Sequence, residues 1–312
     1  MKYFSSGKII KEFRERRGIS QLELCEGLCE PPTLCKIETG RQNPNKKLLE
    51  ALSARLQIPV SLDVPITRLE FERAQIEREI MSRISRENYL IEEFVKKYKD
   101  LGKDMNKLEK QFYLFAHAVH LEQNENNFQK ALDEFSESLS LTFPSYCHET
   151  DISKHLFIPL ELILLNSIAT CLYCVGKKTE SISLLGQIMR CLEHEGLERE
   201  EYAKLYPAVT FNLSTYLGII KNYEESLKIT EQGLACCLKY ERFGSHSRLL
   251  YNKGYTLFTT GKKNEGMYFL KQSFFSMQIL EQNRFFNNAK EDIINSFGIE
   301  VWNEIENAID MK

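Results

Sequence analysis

Along this chain apolar residues recur at the three- and four-residue spacing of helices. Beyond residue 100 nothing shows the apolar–polar alternation of a strand. Ser6 to Arg17 is amphipathic, with Ile9, Ile10 and Phe13 inside and Arg14, Arg16 and Arg17 outside. Gly18 ends that helix and Ser20 caps the next, where Ser20 and Glu23 spell a capping box. Leu22, Cys25 and Leu28 then share a face and read as core. Pro31 and Pro32 suit a turn and a first helical position. The following helix is predicted from about Pro32 to Thr39, with Leu34 and Ile37 inward, Thr33 and Lys36 outward, and Gly40 as its stop. Asn45 to Leu56 carries Leu48, Leu49, Leu52 and Leu56 at core spacing, and Pro59 closes it.

Residues 18–41 are therefore two short helices joined by a tight turn. The second has small and polar groups at its start and is followed by Arg41 and Gln42, the arrangement that delivers a helix into the DNA major groove. The run Ile19-Ser20-Gln21 with Leu24, then Leu34-Cys35-Lys36-Ile37-Glu38 with Gly40, Arg41 and Pro44, resembles the phage-repressor-type (xenobiotic-response-element) helix-turn-helix family. The resemblance covers about residues 5–60. It implies that Gln21 lies against a phosphate, that Thr33 and Lys36 reach base edges and that Arg41 meets the backbone. Pro32 and Gln42 complete the DNA-facing set. Cys35, where Ser is common, and the Pro-Pro pair depart from the family pattern.

Charge agrees. Residues 1–62 hold 11 Lys and Arg against 7 Glu, a net +4, while the whole chain of 312 residues is −3. A weakly basic head on an acidic body suits phosphate contact at one end. Nine cysteines without regular spacing point to a reducing cytoplasm. Cys25, Cys29 and Cys35 are close in sequence, but helical phasing buries them and no His is near, so zinc is not expected. Leu156 to Gly176 is long enough to span a bilayer, yet Pro159, Glu161 and Asn166 interrupt it and favour a buried helix. Met1-Lys2-Tyr3-Phe4 leads into an amphipathic helix with no sign of a signal peptide.

Residues 63–103 read as a charged helical linker or interface, with Leu69, Ile76, Ile80 and Ile84 as a stripe. Residues 104–312 read as a repeat array. Asn126-Asn127-Phe128, Gly176-Lys177-Lys178, Lys221-Asn222-Tyr223 and Gly261-Lys262-Lys263 align, each followed three positions on by Ala131, Ser181, Ser226 or Gly266. A small residue there lets two helices of a hairpin approach closely, and Ala169 and Gly254 occupy a matching place on first helices. These features resemble tetratricopeptide repeats, four over 104–280, with a capping helix from about Arg284 to Ile309. Such hairpins stack into a solenoid with a groove.

The expected fold is all-α: a five-helix-type helix-turn-helix domain (1–62), the linker, and a TPR-like solenoid for ligand sensing and dimerisation. That architecture resembles the peptide-responsive regulators of Gram-positive bacteria, the RRNPP family. The family resemblance implies a homodimer on double-stranded DNA, controlled by a short signalling peptide in the groove. Asn212 and Asn252, with Asn166 one position off, form a candidate ladder, since an amide both donates to and accepts from a peptide backbone. Thr170, Tyr173, Tyr216, Arg248 and Tyr255 lie on nearby faces, and Arg248 suits a carboxylate. A solenoid that binds a protein partner is the alternative. No cofactor is expected and no enzyme: there is no Ser-His-Asp set, metal-protease signature or phosphate loop. His117 and His120 are the one conceivable metal pair, more simply packing or surface residues.

Overall fold

The computed structural model describes residues 6–58, 67–86, 89–101, 104–147, 150–193 and 199–310, and every regular element among them is a helix. The chain forms two compact units, Met1–Glu198 and Arg199–Lys312.

The first unit opens with α1 (Ser6–Arg16), α2 (Gln21–Cys25), α3 (Pro31–Glu38) and α4 (Lys46–Arg55). Residues 59–66, Pro59 among them, lie outside those described. Local chemistry sets the ends. Gly18 takes φ +67 after α1. Ser20 Oγ accepts from Glu23 N at 3.1 Å while Glu23 returns a carboxylate to Ser20 N at 2.7 Å. Asn45 Oδ1 accepts from Leu48 N at 2.8 Å to start α4. Ile10, Leu24, Leu28, Leu34, Ile37, Leu49 and Leu52 fill the core.

Two expected placements differ. Leu22 is 68% exposed, and Leu24 is buried in its stead. Helix α2 is five residues long and the chain turns at Glu26 (φ −49, ψ 123), so the spacing from 22 to 28 does not run along one helix face. Arg14 points inward, because Glu38 lies buried within its reach.

Next come α5 (Arg68–Ser85) and α6 (Glu92–Asp100). Of the predicted stripe, Ile76 and Ile80 are buried, Ile84 is half-buried and Leu69 is exposed. Glu77 of α5 takes both Lys47 of α4 and the Tyr98 hydroxyl of α6, while Arg73 pairs with buried Glu109. The unit ends in two hairpins: α7 (Lys107–Asn124) with α8 (Phe128–Ser140), then α9 (Pro159–Cys174) with α10 (Lys178–Glu193), separated by a 3-10 turn at Ile152–Lys154. The apolar stretch of α9 is buried at Leu162, Leu164, Leu165 and Ile168. No helix among the described residues is long and apolar enough to cross a membrane.

The second unit stacks α11 (Arg199–Ile219) on α12 (Tyr223–Tyr240), and α13 (Phe243–Thr259) on α14 (Lys263–Ile279). In place of one capping helix there are two, α15 (Asn283–Phe297) and α16 (Ile299–Asp310), because Gly298 takes φ +95 between them. They fold onto α14 around Phe274, Trp302 and Ile305.

The repeat signature has a physical basis in each unit. Asn126, Gly176, Lys221 and Gly261, which open the aligned motifs, all have positive φ at the hairpin turn. The small residues mark close backbone approach: Ser181 Oγ donates to Ala169 O at 2.6 Å and Ser226 Oγ to Ser214 O at 2.7 Å. At the fourth hairpin a Cβ on Gly266 would stand 2.8 Å from Gly254 O.

Candidate functional site

Helix α3 buries Leu34 and Ile37 and exposes Pro32, Cys35, Lys36 and Thr39, with Thr33 half-exposed. Gly40 at φ +74 reverses the chain. Arg41 N and Gln42 N both donate to Lys36 O, at 2.8 and 3.2 Å. Arg41 and Gln42, both exposed, are thereby held beside the end of the helix that presents Lys36. Of the sequence-derived DNA-facing residues, Lys36, Arg41 and Gln42 are thus drawn together, while Pro32 and Thr33 lie at the opposite end of α3 and Gln21 at the start of α2.

Beneath them lies a network that periodicity did not reveal. Arg14 grips Glu38 with two bonds of 2.6 and 2.9 Å and donates to Ile19 O at 3.1 Å. The hydrogen bond from Arg14 to Glu38 raises the Arg14 pKa above its ordinary value. Gln21 Nε2 also donates to Glu38, at 2.7 Å. One hydrogen of the Gln21 amide is therefore held internally and fixes where the other points. Glu38 ties together α1, the start of α2 and α3, so the two helices of the motif keep a set angle.

The neighbouring cysteines do not form a ligand set. Cys25 is buried, Cys29 half-buried and Cys35 exposed. Burial, foremost, pushes the Cys29 thiol up to about 11. His117 and His120 likewise diverge: His117 contacts Glu134, His120 contacts Glu125 and Asn124.

The head is fastened to the hairpins of its own unit. Arg55 Nη1 donates to Leu24 O and Glu26 O at 3.1 and 2.5 Å, and Nη2 reaches Thr142 O and Glu161 Oε1 at 3.3 and 3.4 Å. Glu161 Oε2 meets His155 Nε2 at 3.0 Å and Ile158 N at 2.9 Å. Burial alone would raise the Glu161 pKa, but His155, Arg55 and the Ile158 amide outweigh it and hold the carboxyl below its ordinary value. Gly27, at φ +69 in the turn between α2 and α3, lies so close to the end of the first hairpin that an added Cβ would be 2.0 Å from Thr142 O. Lys107 Nζ donates to Gly27 O at 2.9 Å.

The sensor candidates fall into two sets. On the first unit, Asn166, Thr170 and Tyr173 are half-buried on α9; the Thr170 hydroxyl donates back to Asn166 O at 3.1 Å, and Lys178 lies over the Tyr173 ring at 5.5 Å. On the second, Asn212 is half-buried and Tyr216 buried on α11. Arg248 of α13 lies over the rings of Phe211 and Phe285, 5.9 and 5.3 Å from their centroids, and burial lowers its pKa to about 10. The Tyr255 hydroxyl donates to Ser296 Oγ at 2.9 Å. Asn252 differs from the ladder expected of it. It is buried, and its Nδ2 donates to Phe211 O, Ser214 Oγ and Thr215 Oγ1 at 3.2, 2.9 and 2.8 Å, clasping α13 to α11. Phe211 and Phe285 were not singled out by sequence, because aromatic residues at helical spacing read as core.

A helix-turn-helix head followed by stacked helical hairpins defines the class. A helix-turn-helix family description matches residues 10–62, and the RNPP family C-terminal domain matches residues 132–289. That second match spans half of the chain, which belongs to the RNPP family. Among solved structures it is similar to Bacillus thuringiensis PlcR in complex with the peptide PapR7 and DNA, at 21% identity and TM-score 0.58, over 91% of this chain and 98% of that one. The apo form of the same protein matches at 17% identity and TM-score 0.57, over 94% and 98%. ComR from S. thermophilus, in complex with DNA and its signalling peptide ComS, matches at 16% identity and TM-score 0.51, over 93% and 99%. At these identities the likeness is one of fold. No curated protein sequence matches the chain.

Proposed function

We propose that this protein is a cytoplasmic transcription regulator that binds operator DNA as a homodimer, with a short signalling peptide bound by its helical-hairpin region. The observation that carries the DNA reading is the end of α3, where Lys36 is exposed and its carbonyl gathers Arg41 and Gln42 beside it. Lys36 and Thr33 meet base edges, Arg41 meets phosphate, and Gln21 offers its second amide hydrogen to phosphate while Glu38 holds the first. Pairing about a two-fold axis sets the two α3 helices about 34 Å, or a multiple, apart.

The peptide reading is supported by family membership and by the solved PlcR and ComR complexes, which contain the peptide PapR7 and the signalling peptide ComS respectively. On the second unit the proposed contacts are Asn212, Tyr216, Arg248 and Tyr255. Asn252 acts there by setting the spacing of α11 and α13. On the first unit they are Asn166, Thr170 and Tyr173.

Fluorescence anisotropy on the region upstream of the protein's own gene tests the proposal. Salt-sensitive binding by the wild type, lost on combining Lys36→Ala with Arg41→Ala, is expected. Absence of wild-type binding at low salt, or undiminished binding by the double variant, overturns it.

A further inference from the structure

In the first unit a cavity of about 270 Å³ opens between the end of α4, the segment around the 3-10 turn, and α10. Two cationic side chains from different elements line it, Lys154 of the turn and Arg190 of α10, together with Ala54 and Gln57 from the end of α4 and just beyond it. Lys154 and Arg190 are exposed, and neither forms an ion pair among the described residues. The opposing carboxylates are accounted for. Glu161 is taken up by Arg55 and His155. Asp151 caps the turn by accepting from Ser153 N at 3.0 Å; that hydrogen bond, with the charges of Lys154 and Arg190, lowers its pKa.

The Arg55 side chain is fully buried behind that wall, its Nη groups used within the fold. The rest of the wall is substantially apolar, with Phe157 and Leu162 in it. A space of ~150 Å³ already holds a benzene ring.

We propose that this cavity binds a small organic oxyanion, a carboxylate or phosphate monoester on a compact apolar body. Its oxygens meet Lys154 and Arg190, and its body lies on Leu156 and Phe157. Such a ligand touches α4 of the head and α10 of the second hairpin at once. It therefore favours the docked head by mass action and is distinct from the peptide contacts proposed above.

The full-length protein titrated with benzoate and, separately, with phenyl phosphate tests this, with benzyl alcohol as the neutral control and chloride matching ionic strength. At roughly tenfold excess over Kd, a rise of about 3 °C in the thermal midpoint is expected with one or both anions. A response to benzoate identifies a carboxylate and a response to phenyl phosphate a phosphate ester. The rise disappears in Lys154→Ala/Arg190→Ala, whose exposed positions leave the ligand-free midpoint in place. No rise with either anion, an equal rise with benzyl alcohol, or an unchanged rise in the double variant overturns the proposal.

Discussion

Arg55 of α4 and Glu161 of α9 form an ion pair at 3.4 Å with both side chains fully buried, although they stand 106 residues apart in the chain. A buried pair of this kind is weak evidence of net stabilisation, because desolvation offsets the attraction. Breaking it is another matter. Removing one partner leaves the other charge buried alone, so Arg55→Ala is expected to cost about 3–5 kcal/mol, read as a lower denaturant midpoint. A loss below about 1 kcal/mol would mean that solvent reaches Glu161.

The same pair sets a pH dependence. Glu161 has a depressed pKa in the folded protein, so as pH falls the unfolded chain takes up the proton first. Its contribution is complete above the ordinary carboxylate range, roughly pH 5, and is lost as pH falls below that range and through the depressed pKa of the folded carboxyl. Thermal midpoints of wild type and Glu161→Gln should converge over that range. A constant gap between them from pH 6 to pH 3.5 would contradict the assignment.

Two glycines give an internal comparison. Gly18 and Gly27 both have φ near +70, but an added Cβ meets nothing within 4 Å at Gly18 and Thr142 O at 2.0 Å at Gly27. Gly18→Ala should cost about 1–2 kcal/mol of backbone strain alone. Gly27→Ala should cost clearly more, since the head must also shift from the first hairpin. Equal losses in chemical denaturation would show that the close approach is not kept in solution.

Asn252 separates packing from sensing. With its amide committed to Phe211, Ser214 and Thr215, Asn252→Ala should lower stability by about 1–3 kcal/mol with no ligand present. Asn212→Ala, at a half-buried position of α11, is expected to leave the ligand-free midpoint nearer the wild-type value.

What the sequence made legible was short-range. Caps, prolines and stop glycines placed α1, α3, α4 and the start of α2 within a residue or two, because each of those signals acts over one helical turn. The hairpin motif was readable for the same reason: positive φ at Gly176 or Gly261 and a close approach at Ser181 or Gly266 are local demands. Arg14 and Leu22 were misplaced because their surroundings are decided elsewhere, by Glu38 on another helix and by the early end of α2. Gly298 did mark the break between α15 and α16, inside a stretch read as one helix. Arg55 also carried a signal, a charge three residues beyond Leu52 on a core face, but its partners Thr142 and Glu161 become visible only in three dimensions.

The docking of the head bears on how such proteins can be cut and recombined. Ile158 belongs to the same hydrophobic cluster as Leu24, Leu34 and Leu52, and Leu108 packs against it. A fragment ending at residue 62 would carry an open apolar wall and the uncompensated guanidinium of Arg55, so poor solubility and self-association are built into it. A chimaera that exchanges DNA specificity among relatives would need the residues at 108, 142, 158 and 161 to travel with the head. The exchangeable module is thus discontinuous in sequence, and its seam runs through the first two hairpins.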